Sequence, residues 1–339
     1  MHKGLVSVII PNWNGIKTIG RCLESVFNQT YPEIEVIVAD NNSQDNSVEF
    51  IEKNFPRVHL VKNKENKGFP GGNNSAFKVA KGEYYMMLNN DTEMDKYCIE
   101  KCLTSINQDE RYGACATKFL LDKKRDTVDA AGIAVYKDGL SIGRGRMEKA
   151  VNYNKKEEVF FASDGACLYK KELIDDIGLY DEDFFCYAEE TDMGWRAQLR
   201  GWRCIYEPEA VVYHCHSAST GTYSPFKAFL VERNRLWVAF KNFPLPIVFA
   251  GSFYTFYRYI FQSFGALSGK GAAGKFGEQF SKRQLILILL KVYWSFFITL
   301  PSTIGKRYEI QKRKLISNRE IEEIFKRYSI SARDIALKE

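Results

Sequence analysis

An α/β fold with a mostly parallel central sheet flanked by helices is predicted by three observations. Residues 5–10 (Leu-Val-Ser-Val-Ile-Ile) and 35–39 (Glu-Val-Ile-Val-Ala) are apolar, β-branched runs that each break into a polar loop. Between them Ile16, Ile19, Leu23, Val26 and Phe27 recur at helical spacing, a strand–helix–strand pattern from which parallel pairing and a right-handed crossover follow. A further apolar strand at 83–88 runs directly into Asn89, Asn90 and Asp91.

The first strand ends in Pro11-Asn12-Trp13-Asn14-Gly15 and the second in Asp40-Asn41-Asn42-Ser43. Ligands of open α/β sheets collect outside the carboxyl ends of strands, so Asn12, Asp40 and Asp91 are expected at one edge, as in a nucleotide site. A carboxylate at a strand tip suits Mg²⁺ or Mn²⁺, which take one or two carboxylates plus phosphate and water; the tripeptide also reads as plain turn chemistry. A third strand is expected near 58–61, then a glycine-rich loop at 66–74 and a helix beginning about Asn73. Glycines there permit close backbone approach, and a helix N-terminus offers N–H groups to an anion; a tight turn is the simpler reading. The loop is neither a Walker loop nor a dinucleotide fingerprint, so triphosphate hydrolysis and nicotinamide chemistry lose ground.

The segments Val-Ser-Val-Ile-Ile-Pro-Asn-Trp-Asn-Gly, Val-Ala-Asp-Asn-Asn-Ser, Asn-Lys-Gly-Phe-Pro-Gly-Gly-Asn-Asn and Leu-Asn-Asn-Asp-Thr resemble, in order and spacing, inverting glycosyltransferases of family 2. The likeness covers about the first 240 residues, and within the family the chain looks most like bacterial rhamnosyltransferases of surface-polysaccharide biosynthesis. It implies a GT-A fold that binds a nucleoside-diphosphate sugar. Pro11, Asn12 and Asn14 then lie against the nucleoside, and Asp40 accepts the N–H of uracil or thymine. Asn42, Asn66, Gly68, Gly71, Asn73 and Asn90 fall on the nucleotide-sugar side. Asn89 and Asp91 occupy the family's Asp-x-Asp metal motif with Asn in the first place; its amide oxygen still coordinates a hard cation, with Asp91 the main ligand.

Residues 183–203 place Glu189, Glu190 and Asp192 at the start of a helix whose later turns carry Arg196 and Arg200. That order suits the helix dipole and is ordinary helix design. In the family this segment resembles Glu-Asp-x-Asp-Leu-x-x-Arg, whose second acid deprotonates the acceptor hydroxyl. That position is Glu190, a Glu in place of Asp, with Glu189 and Asp192 as rivals; a base must come within about 3 Å of its proton. Arg196 is assigned to the nucleotide-sugar side. Residues 160–168 resemble the acceptor-side segment, where Asp164 is set to bond sugar hydroxyls or to cap the next element.

Downstream, an apolar strand leads to His214 and His216, which alternation puts on one face. No second Cys or His pair lies at finger spacing, which argues against structural zinc. The resemblance implies a His near metal and diphosphate: His214 by preference, His216 beside it, and Ser217, Ser219 and Thr220 toward phosphate. The plain alternative is that both histidines simply finish a strand through hydrogen bonds.

The 339 residues are 45% hydrophobic and 27% charged, enough for one large domain plus an appendage. Scattered cysteines and an N-terminus without a cleavable apolar segment predict a cytoplasmic protein. The expected division is a catalytic domain at 1–240, with halves at 1–118 and 119–240, and a basic, aromatic-rich helical region at 241–339. That region is net +10, which leaves the first 240 residues at −4 of the overall +6. Its stretches at 249–264 and 285–300 carry Arg258 and Lys291, and neither makes a clean membrane span. Amphipathic helices on the inner face of the cell membrane fit better, with Lys306, Arg307, Lys312, Arg313 and Lys314 drawn to anionic lipid. A solvated face or a subunit contact, in a homodimer for instance, is the plainer reading. Arg233 and Arg235 also fall on a family segment, where they would meet acceptor phosphate.

The expected activity is inverting transfer of a sugar, L-rhamnose from dTDP-rhamnose by resemblance, to a saccharide or polyprenyl-linked saccharide, with Mg²⁺ or Mn²⁺. Alternatives are another hexosyltransferase using a UDP-sugar, a noncatalytic sugar-nucleotide-binding protein, or hydrolysis of sugar nucleotides. A nucleotidyltransferase would carry a basic, glycine-rich loop after its first strand, which Pro11–Gly15 is not. Nucleic acid is not an expected partner, because the positive charge lies with apolar helices.

Overall fold

The chain opens with β1 (Val6–Asn12), α1 (Ile19–Phe27) and β2 (Ile34–Asp40), the strand–helix–strand unit that the apolar periodicity predicts. In this computed structural model, which describes residues 4–215, 224–268 and 281–337, α1 turns Ile19, Cys22, Leu23 and Val26 into the core. Each such aliphatic side chain contributes about 1.5–3 kcal/mol by leaving water. The unit is extended by α2 (Ser47–Asn54), β3 (His59–Lys62), α3 (Gly68–Phe77) and β4 (Tyr84–Leu88). β3, β2, β1 and β4 pair in parallel, with Asn12 opposite Asp40.

The second half of the sheet is mixed. β5 (Thr92–Met94), α4 (Cys98–Ile106), β6 (Tyr112–Leu121) and β7 (Lys124–Ala130) follow, then β8 (Ile133–Val135) and β9 (Ser141–Gly143), a separate two-stranded pair. β10 (Glu157–Val159), β11 (Ala166–Lys170), α5 (Lys171–Ile177), α6 (Glu189–Leu199) and β12 (Arg203–His214) come next. The sheet runs β10-β12-β6-β11-β4-β1-β2-β3, with β5 on β12 and β7 on β6. β11 lies antiparallel between β4 and β6, which brings the loop at 163–165 to the tip of β4, where Asn89 N–H donates to Gly165 O at 3.0 Å.

The start of α3 departs from expectation. The helix begins at Gly68, not about Asn73. Pro70 is tolerated because a first helical turn has no use for its missing N–H. Asn66 Oδ1 accepts Gly68 N–H at 2.9 Å, and Phe185 O accepts Phe69 N–H at 2.8 Å, so these two donors are satisfied internally and not held out to an anion. Gly68 has φ +69°, and a Cβ there would stand 2.1 Å from Phe185 O, so both backbone and neighbour require glycine.

Backbone contacts divide the chain into two units. The sheet belongs to the first. The second takes in residues 134–142, 187–201 and the described chain from 224 onward, so α6 groups with the C-terminal helices instead of with the 119–240 half expected from sequence. Those helices are α7 (Pro225–Asn242), α8 (Leu245–Ser268), α9 (Lys282–Lys312), α10 (Asn318–Tyr328) and α11 (Ala332–Leu337). α9 packs along α7 and runs on through Pro301, beyond the 285–300 stretch that the sequence marks out. Among the described residues it is the helix long and apolar enough to cross a membrane, by length and composition. Phe249, Phe253, Phe256, Ile260 and Phe264 of α8 and Ile286, Leu290, Trp294 and Phe297 of α9 are exposed.

Candidate functional site

At the carboxyl edge of the parallel strands a polar network forms around Asn12, which is 1% exposed. Its Nδ2 lies within hydrogen-bond distance of Asp40 Oδ1 at 2.9 Å, Ser47 Oγ at 3.0 Å and Ser43 Oγ at 3.2 Å. Its Oδ1 accepts Asn90 Nδ2 at 2.8 Å, which ties the tip of β4 to those of β1 and β2. Asp40 also accepts Ser43 N–H at 3.0 Å and Ser43 Oγ–H at 2.5 Å. The tips of β1, β2 and β4 therefore meet, with Asn90 making the contact where Asp91 was expected. Gly15 closes the network: a Cβ there would fall 2.2 Å from Asn12 Oδ1 and 2.3 Å from Asn90 Nδ2. Asn14 and Asn42 sit at φ +53° and +60° on the rim, where Asn14 N–H donates to Ser43 Oγ and Asn42 O accepts Gln44 Nε2. Left-handed backbone is affordable to Asn and marks places held by their surroundings. Pro11, next to last in β1, is half-buried opposite Ala39.

Asp91 follows Asn90 and is 7% exposed. His214, at the end of β12, places Nε2 3.4 Å from Asp91 Oδ1, while Cys215 N–H donates to Asp91 O at 2.8 Å. His214 Nδ1 lies 2.7 Å from Asp129 Oδ2 on β7, and Arg146 holds the other Asp129 oxygen at 2.6 Å. The Phe119 ring stacks on the imidazole at 4.7 Å. Burial alone would lower the His214 pKa, but hydrogen bonds and charge from Asp129 and Asp91 push it up to about 9.

A carboxylate oxygen and an imidazole nitrogen at this separation resemble neighbouring ligands on an octahedral ion, about 3 Å apart for bonds of ~2.1 Å. The donor set thus fits Mg²⁺ or Mn²⁺ that completes its shell from phosphate and water. Among the described residues no group of three or more His, Cys, Asp or Glu forms a metal cage of its own. Asn89 is half-buried; its carbonyl accepts Thr92 Oγ1 at 2.6 Å. His216, Ser217, Ser219 and Thr220 lie outside the described residues.

The loop before β11 supplies Asp164, 4% exposed, whose carboxylate accepts the Tyr169 hydroxyl. Burial raises its pKa and the tyrosine hydrogen bonds oppose this, leaving it at about 6. Asn66 is committed to capping α3. Asn73 is wholly buried and donates to Phe69 O at 2.9 Å, and a Cβ on Gly71 would meet Lys67.

In the second unit, ten of the eleven residues of α6 are buried and Glu190 is the exception. The reason is packing: Trp195 sits against Phe243 and Phe325 at 4.8 Å each. Glu189 is 6% exposed and Asp192 1%. Asp192 bonds Arg196 Nε at 3.0 Å, Lys241 Nζ at 2.9 Å and Asn242 Nδ2 at 2.9 Å. Asp192 and Arg196, expected as a rival base and a donor-binding side chain, are thus tied into a buried charge cluster. Arg235, 1% exposed, pairs with Glu232 at 2.6 Å and points to Asp138 O, so it does not reach out to acceptor phosphate either; Arg233 stacks on Trp237. Arg307 donates to Phe240 O and Phe243 O, satisfying the last carbonyls of α7 instead of meeting lipid.

Sequence reasoning passed over Ser43, Ser47, Asp129, Arg146 and Phe119. For Asp129 a signal was present, an acid inside the apolar run Val128–Ala131.

A family model described as glycosyl transferase family 2 matches residues 7–178. Chondroitin synthase of Escherichia coli is 35% identical over 108 residues, 31% of this chain and 16% of that protein. The chain spans between about a tenth and a half of the length of the curated relatives it matches. Among solved structures, Staphylococcus aureus TarS 1–349 in complex with UDP-GlcNAc aligns at TM-score 0.57 and 19% identity over 96% of this chain and 92% of that 1–349 chain. GalNAc-T7 with UDP, GalNAc and Mn²⁺ aligns at 0.56 and 17% over 69% and 47%. At such identities the likeness speaks for the fold, which is GT-A.

Proposed function

The chain belongs to glycosyl transferase family 2, and from that membership we propose that it moves a sugar from a pyrimidine nucleoside diphosphate to a saccharide or lipid-linked saccharide in cell-surface polysaccharide assembly. The observation that carries the reading is the junction of Asn12, Asp40 and Asn90, with the Asp91–His214 pair one residue along. Asp40 offers an acceptor suited to the imide N–H of uracil or thymine. The donor class is a dTDP- or UDP-sugar; L-rhamnose is the sugar that the family resemblance suggests, and a UDP-hexose is the alternative.

Asp91 and His214 would hold Mg²⁺ or Mn²⁺, with Asn89 contributing its amide oxygen, and the ion would neutralise charge on the departing diphosphate. GalNAc-T7, solved with UDP and Mn²⁺, supplies a precedent on the same fold. Glu190, the one residue of α6 left partly open, takes the proton from the acceptor hydroxyl as that oxygen attacks the anomeric carbon. Attack from the face opposite the leaving group inverts the configuration in one step, with no covalent sugar intermediate.

The apolar faces of α8 and α9, with Arg283, Lys291 and Lys312 nearby in sequence, support seating on an anionic inner membrane surface, where a polyprenyl-linked acceptor would be found. Calorimetric titration with UDP-, dTDP- and GDP-sugars, with and without Mn²⁺, tests the donor assignment. We expect pyrimidine donors to bind, more tightly with Mn²⁺, and Asp40→Asn to weaken them about 10–100-fold, the value of one charged hydrogen bond. A guanine preference removes the role given to Asp40.

A further inference from the structure

Behind Asp91 the side chains of Arg146, Asp129 and His214 form a chain of contacts. Arg146 Nη1 lies 2.6 Å from Asp129 Oδ1, and Asp129 Oδ2 lies 2.7 Å from His214 Nδ1. On its far side His214 turns Nε2 to Asp91 Oδ1 at 3.4 Å. Asp129 is 5% exposed and is placed by β7, which pairs with β6, as does β12, which carries His214.

An ionised carboxylate only accepts hydrogen bonds, so the bond to Asp129 requires the proton on His214 Nδ1. Nε2 is then the nitrogen left to face Asp91. Phe119, stacked on the ring at 4.7 Å with 17° between planes, stops the imidazole from tipping, and Asp129 stops it from turning about its own axis. A histidine ligand oriented by a carboxylate in this way gains basicity and loses rotational freedom, and removal of the carboxylate typically costs 10–100-fold in metal affinity. Arg146 balances the charge of Asp129 and fixes its second oxygen.

We propose that Asp129 is a positioning residue, held by Arg146, that locks the His214 ring so that Nε2 faces the cation site at Asp91. The inference rests on the reading of Asp91 and His214 as cation ligands.

The experiment measures Mn²⁺ binding to the full chain by electron paramagnetic resonance, for wild type, Asp129→Ala, His214→Ala, the double variant and Asp91→Asn. We expect Asp129→Ala to weaken Mn²⁺ about 10–100-fold, and the double variant to be no weaker than His214→Ala alone, because Asp129 acts through that ring. Nitrogen-15 spectra of the histidines, with His214 identified by its loss in the alanine variant, should show Nδ1 protonated in wild type with Mg²⁺ and a tautomer mixture in Asp129→Ala. Should Asp129→Ala not fold, Asp129→Leu, which keeps volume without an acceptor, replaces it. Additive losses in the double variant, or unchanged Mn²⁺ affinity in Asp129→Ala beside a loss in His214→Ala, overturn the role of Asp129 alone. Unchanged affinity in both His214→Ala and Asp91→Asn overturns the metal reading and this inference with it.

Discussion

Lys241 Nζ lies 2.9 Å from Asp192 Oδ1, with the lysine side chain 3% and the aspartate 1% exposed. The contact joins α6 to the end of α7 and sets Asp192 apart from the other two acids of α6. Asp192 also holds Arg196 and Asn242, so its charge is spent on the interior. Glu189 is buried, and Glu190 alone on the helix keeps partial exposure.

Glu190→Gln keeps the shape of the side chain and removes its basicity. Transfer should fall by about 10²–10⁴-fold, the range for loss of a positioned base, while the donor dissociation constant changes less than about twofold. Product formation and calorimetry on the same preparation check both halves. Full residual turnover would strike Glu190 from the mechanism.

Asp192→Asn should instead damage the fold, because Lys241 and Arg196 lose a buried counter-charge. The expected cost is about 3–5 kcal/mol, read from urea unfolding curves. Unchanged stability with abolished turnover would return Asp192 to candidacy as the base.

Asp164 gives a dependence of stability on pH. Burial lifts its folded pKa to about 6 from the ordinary 3.8, so the native state holds its proton more firmly than the unfolded chain. Stability is therefore highest below pH 4, as far as this group is concerned, falls as pH rises toward 6, and is level above that. The loss is on the order of 2–3 kcal/mol. Asp164→Asn keeps an acceptor for the Tyr169 hydroxyl and should abolish this slope. Unfolding midpoints at pH 4.5 and 7.5 for the two proteins provide the comparison.

Phe253 of α8 and Trp294 of α9 are each 69% exposed. Replacing both with Glu should release the protein from vesicles containing anionic lipid, and wild-type binding should weaken as salt rises. Co-sedimentation with vesicles measures it. Wild type that stays in solution with every vesicle composition rules out the membrane seat.

β1, α1, β2 and β4 were legible because their signals are local: alternating or helical apolar spacing that neighbours in the chain carry between them. The polar residues at strand ends were legible for the same reason, since a strand that stops being apolar announces its tip, and Asn12, Asp40 and Asn90 do meet there. Residue types alone also pointed to the acid-rich start of α6. Other features needed pairings between distant stretches. Asp129 meets His214 across 85 positions because both β7 and β12 lie against β6. Asn73 looked like a ligand residue and turned inward, because α3 starts five residues earlier than its glycines suggest. Asp192 and Glu190 are chemically alike in the chain. What separates them is which side of a helix loses its water to Trp195, Phe243 and Lys241, and solvent exclusion of that kind belongs to packed elements, not to a run of neighbours.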